Sequence, residues 1–233
     1  MATLIPNSLL AALPRKSYLR LLPGLTPVEL VFGDVLYEPG RPIHDVYFPS
    51  QSLVSLLTLV EGHLALEVGL VGHEGMVGVA LALGIDVSPV RALVQGGGPA
   101  LRMKASRFRR EFAASVPLQR GLYRYVYALM AQISQTAACN RFHVVEARLA
   151  RWMLMTRDRV GSGEFRMTQD FLSHMLGVRR VGVTEAASAL QRRGLIEYHR
   201  GSIRILDNRG LEAACCSCYA AVKNLHGTNK KAR

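Results

Sequence analysis

Polar and basic residues between positions 179 and 188 recur at a spacing that would place them on one face of a helix. They supply two guanidinium groups, two hydroxyl groups and one carboxylate: Arg179, Arg180, Thr184, Glu185 and Ser188. One guanidinium group can donate two hydrogen bonds to a guanine, a carboxylate can accept a hydrogen bond from cytosine, and a hydroxyl group can bond to several bases. Such a face is predicted to read base edges in the major groove of duplex DNA, with Glu185 as a residue that sets specificity.

Two helices joined by a short turn are predicted to present this face. Thr168 can cap a first helix over residues 169–176, and the second helix is expected over 179–193. Counted from Gln169, a small residue is fifth, a glycine ninth and an apolar residue fifteenth: Ser173, Gly177 and Val183. This pattern predicts a helix-turn-helix. A helical hairpin in a protein core is the alternative, and the polar face of the second helix argues against it.

A β-hairpin is predicted immediately after the second helix. Alternating apolar residues on both sides of Arg200-Gly201-Ser202 indicate two short strands with a tight turn between them. A hairpin in this position is typical of a wing, whose basic tip would lie near DNA phosphates. The residues expected to contact phosphate are Thr168, Gln169, Arg200 and Ser202.

Residues 26–104 have the pattern of an all-β unit. Short apolar runs alternate with turns rich in glycine, proline and aspartate. The runs cover residues 28–32, 35–37, 46–48, 53–60, 64–70, 76–83 and 91–94. Many short strands at this spacing predict a β-barrel or sandwich.

A long helix is predicted between this unit and the helix-turn-helix, because no residue from Pro117 to Asn140 breaks a helical pattern except Gly121. Its apolar stripe is formed by Leu118, Leu122, Tyr125, Leu129 and Ile133. The stripe could pack on its own barrel or, as favoured here, on a second copy of the chain. Gln132 and Thr136 are expected on the same face, where polar residues can set the register of a dimer.

Positive charge is concentrated toward the C-terminus of the 233-residue chain, whose formal net charge is +12. Residues 1–138 contain 12 Lys and Arg against 9 Asp and Glu, whereas residues 139–233 contain 17 against 8. A basic half is typical of a protein that binds a polyanion, and an inert basic surface is the alternative. The sequence contains neither a long apolar segment nor a signal peptide, so a cytoplasmic location is expected.

Sequence motifs of catalysis are missing. We find no Gly-x-Ser-x-Gly elbow, phosphate-binding loop or HExxH pair, and the glycines at 96–98 indicate a turn because Pro99 follows them. The chain is therefore predicted not to be an enzyme. The alternative function is a ligand- or partner-binding barrel protein whose winged domain docks another protein rather than DNA.

The order of these elements resembles the cyclic-AMP receptor/fumarate-nitrate regulator (Crp/Fnr) family. The resemblance is strongest over MTQDFLSHMLGVRRVGVTEAASALQRRGLI and its wing, and it includes YEPGRPIHDVYF in the early strands. It implies an α+β fold with an N-terminal β jelly-roll barrel like those that bind cyclic nucleotides, a long dimerisation helix and a C-terminal winged helix-turn-helix. It also implies a homodimer on an inverted-repeat operator in double-stranded DNA, with RNA polymerase as a further partner. The corresponding parts are residues 1–116 (sensor), 117–140 (dimerisation helix), 141–222 (winged domain) and 223–233 (basic tail).

The sequence departs from this family at both expected sites. Arg180 matches the first arginine of the family's recognition helix, but Val181 and Glu185 replace its base-reading glutamate and second arginine. Cyclic-nucleotide members carry Gly-Glu and then Arg-Ser or Arg-Thr, where this chain has Gly78-Val79 and Arg91-Ala92. Tight cyclic AMP binding is therefore not expected. Arg91 remains a weak candidate for the phosphate of an unknown effector, and a surface ion pair is its favoured role.

The cysteines do not predict a cofactor. An iron–sulfur cluster is not expected, because sensing members of the family carry their cysteines near the N-terminus and no cysteine here precedes Cys139. Cys215, Cys216 and Cys218 are crowded, and zinc sites prefer two or more intervening residues. We therefore expect incidental thiols and no metal site, with a metal or redox role shared across a dimer as the alternative.

Overall fold

A computed structural model describes residues 6–60 and 65–227 of the chain. It divides into two compact units, the first formed by residues 1–57 and 69–130 and the second by residues 58–68 and 131–233. The predicted turn at residues 61–62 lies outside the described residues, as does the part of the predicted basic tail from residue 228 onward. No helix in the described part of the chain is long and apolar enough to span a membrane.

Among the described residues of the first 104, seven strands form two sheets, which confirms the predicted β architecture of residues 26–104. Two short helices precede them, α1 (Ser8–Ala11) and α2 (Arg15–Leu21). The strands are β1 (Thr26–Leu30), β2 (Val35–Tyr37), β3 (Asp45–Pro49), β4 (Leu53–Thr58), β5 (Leu66–Val71), β6 (Arg91–Gly96) and β7 (Gly98–Lys104). The strand orders are β1-β7-β3 in one sheet and β2-β6-β4-β5 in the other. The apolar core includes Val46, Phe48, Val54 and Val94, all almost fully buried.

The structure differs from the predicted strands at two places. Residues 76–83 were expected to be extended, but Val79–Leu83 form a 3₁₀ helix. The glycines on either side, Gly78 and Gly84, have φ of 91° and 79°, a left-handed conformation that ends an extended segment. The sequence also did not predict β7, because the triple glycine indicated a turn. Instead, Gly96 ends β6 and Gly98 begins β7, so the connection between the two strands is the single residue Gly97.

The long helix is confirmed as α4 (Val116–Phe142), which follows α3 (Ala105–Ala113). Its predicted apolar stripe is buried within the single chain, where Leu118, Leu122, Tyr125 and Leu129 are at most 6% exposed. The expectation that this stripe faces a second copy is therefore wrong. Close packing against Gly75 contributes to the burial of this stripe. The ring of Tyr125 lies so near Gly75 that a Cβ atom at residue 75 would overlap it.

The described part of the second unit contains five further α-helices and a small sheet. The helices are α5 (Val145–Val160), α6 (Gln169–Leu176), α7 (Arg180–Arg192), α8 (Asn208–Ala214) and α9 (Cys218–Gly227). The sheet is antiparallel with the order β8-β10-β9, from β8 (Glu164–Arg166), β9 (Ile196–His199) and β10 (Ser202–Ile205). Its core includes Leu149, Leu172, Leu190 and Ile203, each fully buried.

A pair of glycine substitutions tests the packing of α4. Gly75→Ala is expected to lower the free energy of unfolding by about 1–3 kcal/mol, because the methyl group overpacks against Tyr125. Gly121→Ala is the control: its nearest non-neighbouring atom is Leu9 Cδ2 at 3.9 Å, and alanine favours the helix by about 0.5–1 kcal/mol. Urea unfolding measures both. Equal effects of the two substitutions would contradict the close contact between Gly75 and Tyr125.

Candidate nucleic-acid interface

The helix-turn-helix forms as its spacing predicts. Thr168 Oγ1 accepts a hydrogen bond from Phe171 N at 3.1 Å and so caps α6. Gly177 ends α6 with φ of 60°, the left-handed conformation that a glycine adopts without strain. Ser173 is 5% exposed, and Val183 is fully buried. The three positions counted from Gln169 therefore all have the predicted environment.

The face of α7 opposite its buried side carries the predicted polar residues. Arg179 lies at the N-cap of α7 and Arg180 in its first turn, and both are exposed. Thr184 and Glu185 are also exposed, whereas Ser188 is half-buried. Four of the five residues thus lie in the N-terminal half of α7, and Ser188 lies past its middle.

An apolar residue interrupts this polar face. Val181 is 59% exposed, although valine is usually buried in a folded domain. The sequence reading noted Val181 only as a departure from the family pattern and did not include it among the site residues. Its place between arginine and threonine side chains is suited to the C5-methyl group of thymine, which is the apolar group of the major groove.

Two of the predicted residues bond to each other. The hydroxyl of Thr184 lies 2.8 Å from Oε1 of Gln169 and 3.1 Å from the carbonyl oxygen of Arg180. This contact joins the first turn of α6 to the recognition face of α7. Gln169 therefore holds α7 in place with its carbonyl oxygen, and its amide nitrogen can still donate to a phosphate.

The predicted wing is the hairpin of β9 and β10, and Ser202 pairs with His199 next to a two-residue turn. Arg200 and Gly201 occupy this turn with φ of 46° and 80°, the positive values of a type I′ turn. Arg200 is the one non-glycine residue with positive φ in the described backbone. Its side chain is exposed at the tip. The turn therefore holds a positive charge in a conformation that suits asparagine or glycine better.

Three arginines of α5 hold this domain on the C-terminal half of α4. Arg159 donates to Gln132 Oε1 at 2.8 Å, and Arg151 donates to Thr136 Oγ1 at 2.7 Å. Arg148 donates to Asn140 Oδ1 at 2.8 Å and also to the carbonyl oxygen of Leu176, at the end of α6. All three arginines are nearly buried, and burial lowers the pKa of Arg148.

These bonds correct the expected role of Gln132 and Thr136. The sequence reading placed both residues in a dimer seam, but each accepts a hydrogen bond from an arginine of its own chain. Because the acceptors lie four residues apart, at 132, 136 and 140, they form one row along α4. We call Arg148, Arg151 and Arg159 with these acceptors the arginine ladder.

Arg91, the weak effector candidate, is engaged in an ion pair. Its Nε lies 2.9 Å from Glu38 Oε2, and both side chains are partly exposed. Nearby, the backbone nitrogen of Gly78 donates to the hydroxyl of Tyr37 at 3.3 Å. Burial raises the pKa of Tyr37 to about 12, so this hydroxyl stays protonated at neutral pH. The ion pair agrees with the surface role favoured for Arg91, and an effector site remains unassigned.

Residues that could hold a metal come together in the second unit. Cys139, His143, Cys216 and Cys218 offer ligand atoms that all lie within 4.8 Å of one another. The sequence reading considered Cys216 and Cys218 but did not link Cys139 and His143 to them. The contact between Cys139 and Cys216 lowers the pKa of Cys139 and raises that of Cys216, and Arg151 adds to the lowering at Cys139.

Comparison with known proteins agrees with this geometry. Residues 147–214 match the family model of the Crp-like helix-turn-helix domain. No protein of curated function is similar enough in sequence to count as a match.

Similar solved structures cover both units. FixK2 from Bradyrhizobium japonicum superposes with a TM-score of 0.69 at 15% identity, over 82% of this chain and 98% of its own. A putative Crp/Fnr-family transcriptional regulator from Eubacterium rectale gives 0.68 at 15% identity, over 89% and 97%. A CRP-family transcriptional regulator from Thermus thermophilus gives 0.67 at 18% identity, over 80% and 95%.

The helix pair, its exposed basic face and its wing define a DNA-binding transcription regulator of the winged helix-turn-helix class. Residues 147–214 match the Crp-like helix-turn-helix domain, and 80–89% of the chain shares its fold with these solved structures of the Crp/Fnr type. The resemblance derived from the sequence is thereby confirmed, together with the predicted α+β fold.

The wing turn yields a stability prediction. Arg200→Asn is expected to raise the free energy of unfolding by about 0.5–1 kcal/mol, because asparagine tolerates the left-handed conformation better than arginine does. Arg204→Asn serves as the control, since Arg204 lies in β10 and bonds to Glu197 across the strands. Urea unfolding measures the free energy of unfolding of both variants. A loss of stability in Arg200→Asn would show that the turn does not hold Arg200 under strain.

Proposed function

We propose that this protein is a homodimeric regulator that binds an inverted-repeat operator and reads its sequence through α7. The observation that carries the proposal is the exposed face of α7, where Arg179 and Arg180 lie at the N-terminal end beside Thr184 and Glu185. In winged helix-turn-helix proteins, the N-terminal residues of the second helix contact base edges in the major groove. The excess of basic residues in the C-terminal part of the chain supports an electrostatic attraction to DNA.

Each exposed residue of α7 has a role that follows from its chemistry. Arg180 is proposed to bond to guanine through two nitrogen atoms, and Glu185 to accept a hydrogen bond from cytosine. Val181 would contact a thymine methyl group. Arg179 and Ser188 extend the same surface and contact the neighbouring bases. Because Val181 and Glu185 differ from the family pattern, the operator is proposed to differ from the usual operator of the family.

Phosphate contacts are proposed at two places next to the recognition face. The first is the N-terminus of α6, where Thr168 and Gln169 lie and the helix dipole favours an anion. The second is the wing, where Arg200 and Ser202 are exposed. These contacts would fix the position of the protein on DNA, and those to bases would provide the sequence preference.

A second stripe of α4 supports the homodimer. Tyr127 and Met130 are 69% and 62% exposed. Together with the exposed residues Tyr123, Ser134, Ala137 and Arg141 they recur at alternating steps of four and three. This is the heptad spacing of two helices that pack along each other. The proposed seam is thus a different stripe from the one expected from the sequence.

The barrel is proposed to act as the sensor of the regulator. An effector that prefers one arrangement of the dimer would change the population of dimers that can bind DNA. The effector is not assigned, and cyclic AMP is not proposed because the acidic residue and hydroxyl of the usual pocket are replaced. Contact with RNA polymerase and a cytoplasmic location belong to the same proposal.

Selection from a randomised duplex library tests the reading of DNA. The wild type is expected to enrich an inverted repeat with half-sites about one helical turn apart, roughly 34–36 Å. Arg180→Ala should weaken binding to that sequence by about 10-fold or more, because a bidentate contact is lost. Arg192→Ala, at the other end of α7, should leave the motif unchanged.

Salt dependence provides a second readout on the same DNA. Arg200→Asn is expected to reduce the slope of log affinity against log salt by about 0.9, the value for one phosphate contact. Failure of the wild type to enrich any motif, with no salt-dependent binding to duplex DNA, would instead favour a winged domain that docks a protein.

The dimer seam is tested by a charge in its middle. Tyr127→Arg is expected to convert a dimer to a monomer in sedimentation velocity, because two guanidinium groups would meet across the symmetry axis. Ser106→Arg, an exposed position on α3, is the matched control and should remain dimeric. The seam would be rejected if Tyr127→Arg sedimented as the wild type does.

A further inference from the structure

Four potential metal ligands meet where α4 ends and where α8 is joined to α9. Cys139 lies in the last turn of α4, and His143, the residue after α4 ends, donates its backbone N–H to the carbonyl oxygen of Cys139 at 3.1 Å. Cys216 belongs to the connection between α8 and α9, and Cys218 is the first residue of α9. Cys139, Cys216 and Cys218 are buried, and His143 is half-buried. We call these four residues the Cys₃His cluster.

The distances within this cluster correspond to the edges of a tetrahedron around one ion. Cys139 Sγ and Cys216 Sγ are 3.5 Å apart, and Cys218 Sγ lies 3.5 Å from His143 Nδ1. Tetrahedral zinc, with bonds of about 2.3 Å to sulfur and about 2.0–2.1 Å to nitrogen, requires edges of about 3.8 Å and about 3.5 Å. All the ligand atoms lie within 4.8 Å of one another, so small side-chain rotations complete the shell.

The charges around the cluster suit a bound ion. Arg148 and Arg151 are each 7% exposed and bond to neutral acceptors, namely Asn140, Thr136 and the carbonyl oxygen of Leu176. Their Nε–H groups have no hydrogen-bond partner among the described residues. Zinc with three thiolates and a neutral imidazole carries a net charge of −1. Such a complex would supply a negative charge beside two buried cations whose hydrogen-bond acceptors named above are all neutral.

A neighbouring amide already bonds to one of the proposed ligands. Gln135 Nε2 donates to Cys218 Sγ at 3.0 Å, from one turn before Cys139 on α4. Outer hydrogen bonds of this kind orient metal ligands and are a common part of metal sites. The thiol of the adjacent Cys215 has other partners, since it lies 3.2 Å from the carbonyl oxygen of Glu212. The two adjacent cysteines therefore differ, and only Cys216 joins the cluster.

We propose that Cys139, His143, Cys216 and Cys218 bind one structural zinc ion. On binding, three thiols lose their protons to solvent and form three Zn–S bonds, and the neutral imidazole of His143 forms the Zn–N bond without a redox change. Four protein ligands close the shell, which is typical of a structural rather than a catalytic zinc site. The ion ties the end of α4 to the last two helices of the winged domain. A structural ion of this kind adds its binding free energy to the folding of that domain.

The metal content of the purified, reduced full chain tests this proposal. Inductively coupled plasma mass spectrometry is expected to find one zinc ion per chain. Cys218→Ser and Cys139→Ser should each weaken zinc binding by more than about 100-fold in competition with a chelator, since even outer-sphere changes cost about 10–100-fold. Cys215→Ser, the matched control, should bind zinc as the wild type does. Zinc should also raise the unfolding temperature of the wild type and of Cys215→Ser, but not that of Cys218→Ser or Cys139→Ser.

Titration of the wild type with Co²⁺ needs no substitution and so does not depend on the folding of a variant. The expected result is the intense visible absorption of tetrahedral Co²⁺ with thiolate ligands, which disappears when Zn²⁺ is added. A weak octahedral spectrum would overturn the proposal, as would reduced protein that binds no zinc. It would also be overturned by zinc binding that persists in both Cys139→Ser and Cys218→Ser, or by loss of binding in Cys215→Ser. A disulfide between Cys139 and Cys216 in place of the metal would contradict it too.

Discussion

The winged domain depends on the burial of three guanidinium groups between α5 and α4. A buried cation is costly unless its hydrogen bonds are made, and each arginine of the ladder meets an acceptor on the facing helix. Because Gln132, Thr136 and Asn140 are one helical turn apart, the two helices match in one register. A shift of α5 by a single residue would break all three contacts. The ladder therefore specifies how the helix-turn-helix is attached to the end of α4.

The arginine ladder also assigns a different role to the polar residues of α4. Polar side chains within an apolar helix often belong to a seam between two chains, and Gln132 and Thr136 were interpreted in that way. The arginines that bind them lie 27 and 15 residues further along the chain. The partners of Gln132 and Thr136 therefore lie on the next helix of the same chain. No local sequence pattern indicates these pairings. The exposed stripe that includes Tyr127 is left as the proposed seam.

Short-range rules were sufficient for the recognition elements. Thr168, Gly177 and the Arg200–Gly201 turn act through capping, left-handed backbone and hairpin geometry, each determined by a few neighbouring residues. The Cys₃His cluster could not be found in this way, because Cys139 and Cys216 are separated by 77 positions. The prediction of a strand at residues 76–83 is wrong for a local reason, because two glycines with positive φ enclose a helical turn.

Arg148 gives the end of α4 a mechanical connection to the helix-turn-helix. One guanidinium nitrogen bonds both to Asn140 on α4 and to the last carbonyl of α6, immediately before the turn that leads to α7. A rotation of the end of α4 about its own axis would therefore pull on the joint between α6 and α7. Of the three arginines in the ladder, Arg148 is thus the one whose side chain contacts both α4 and the end of α6.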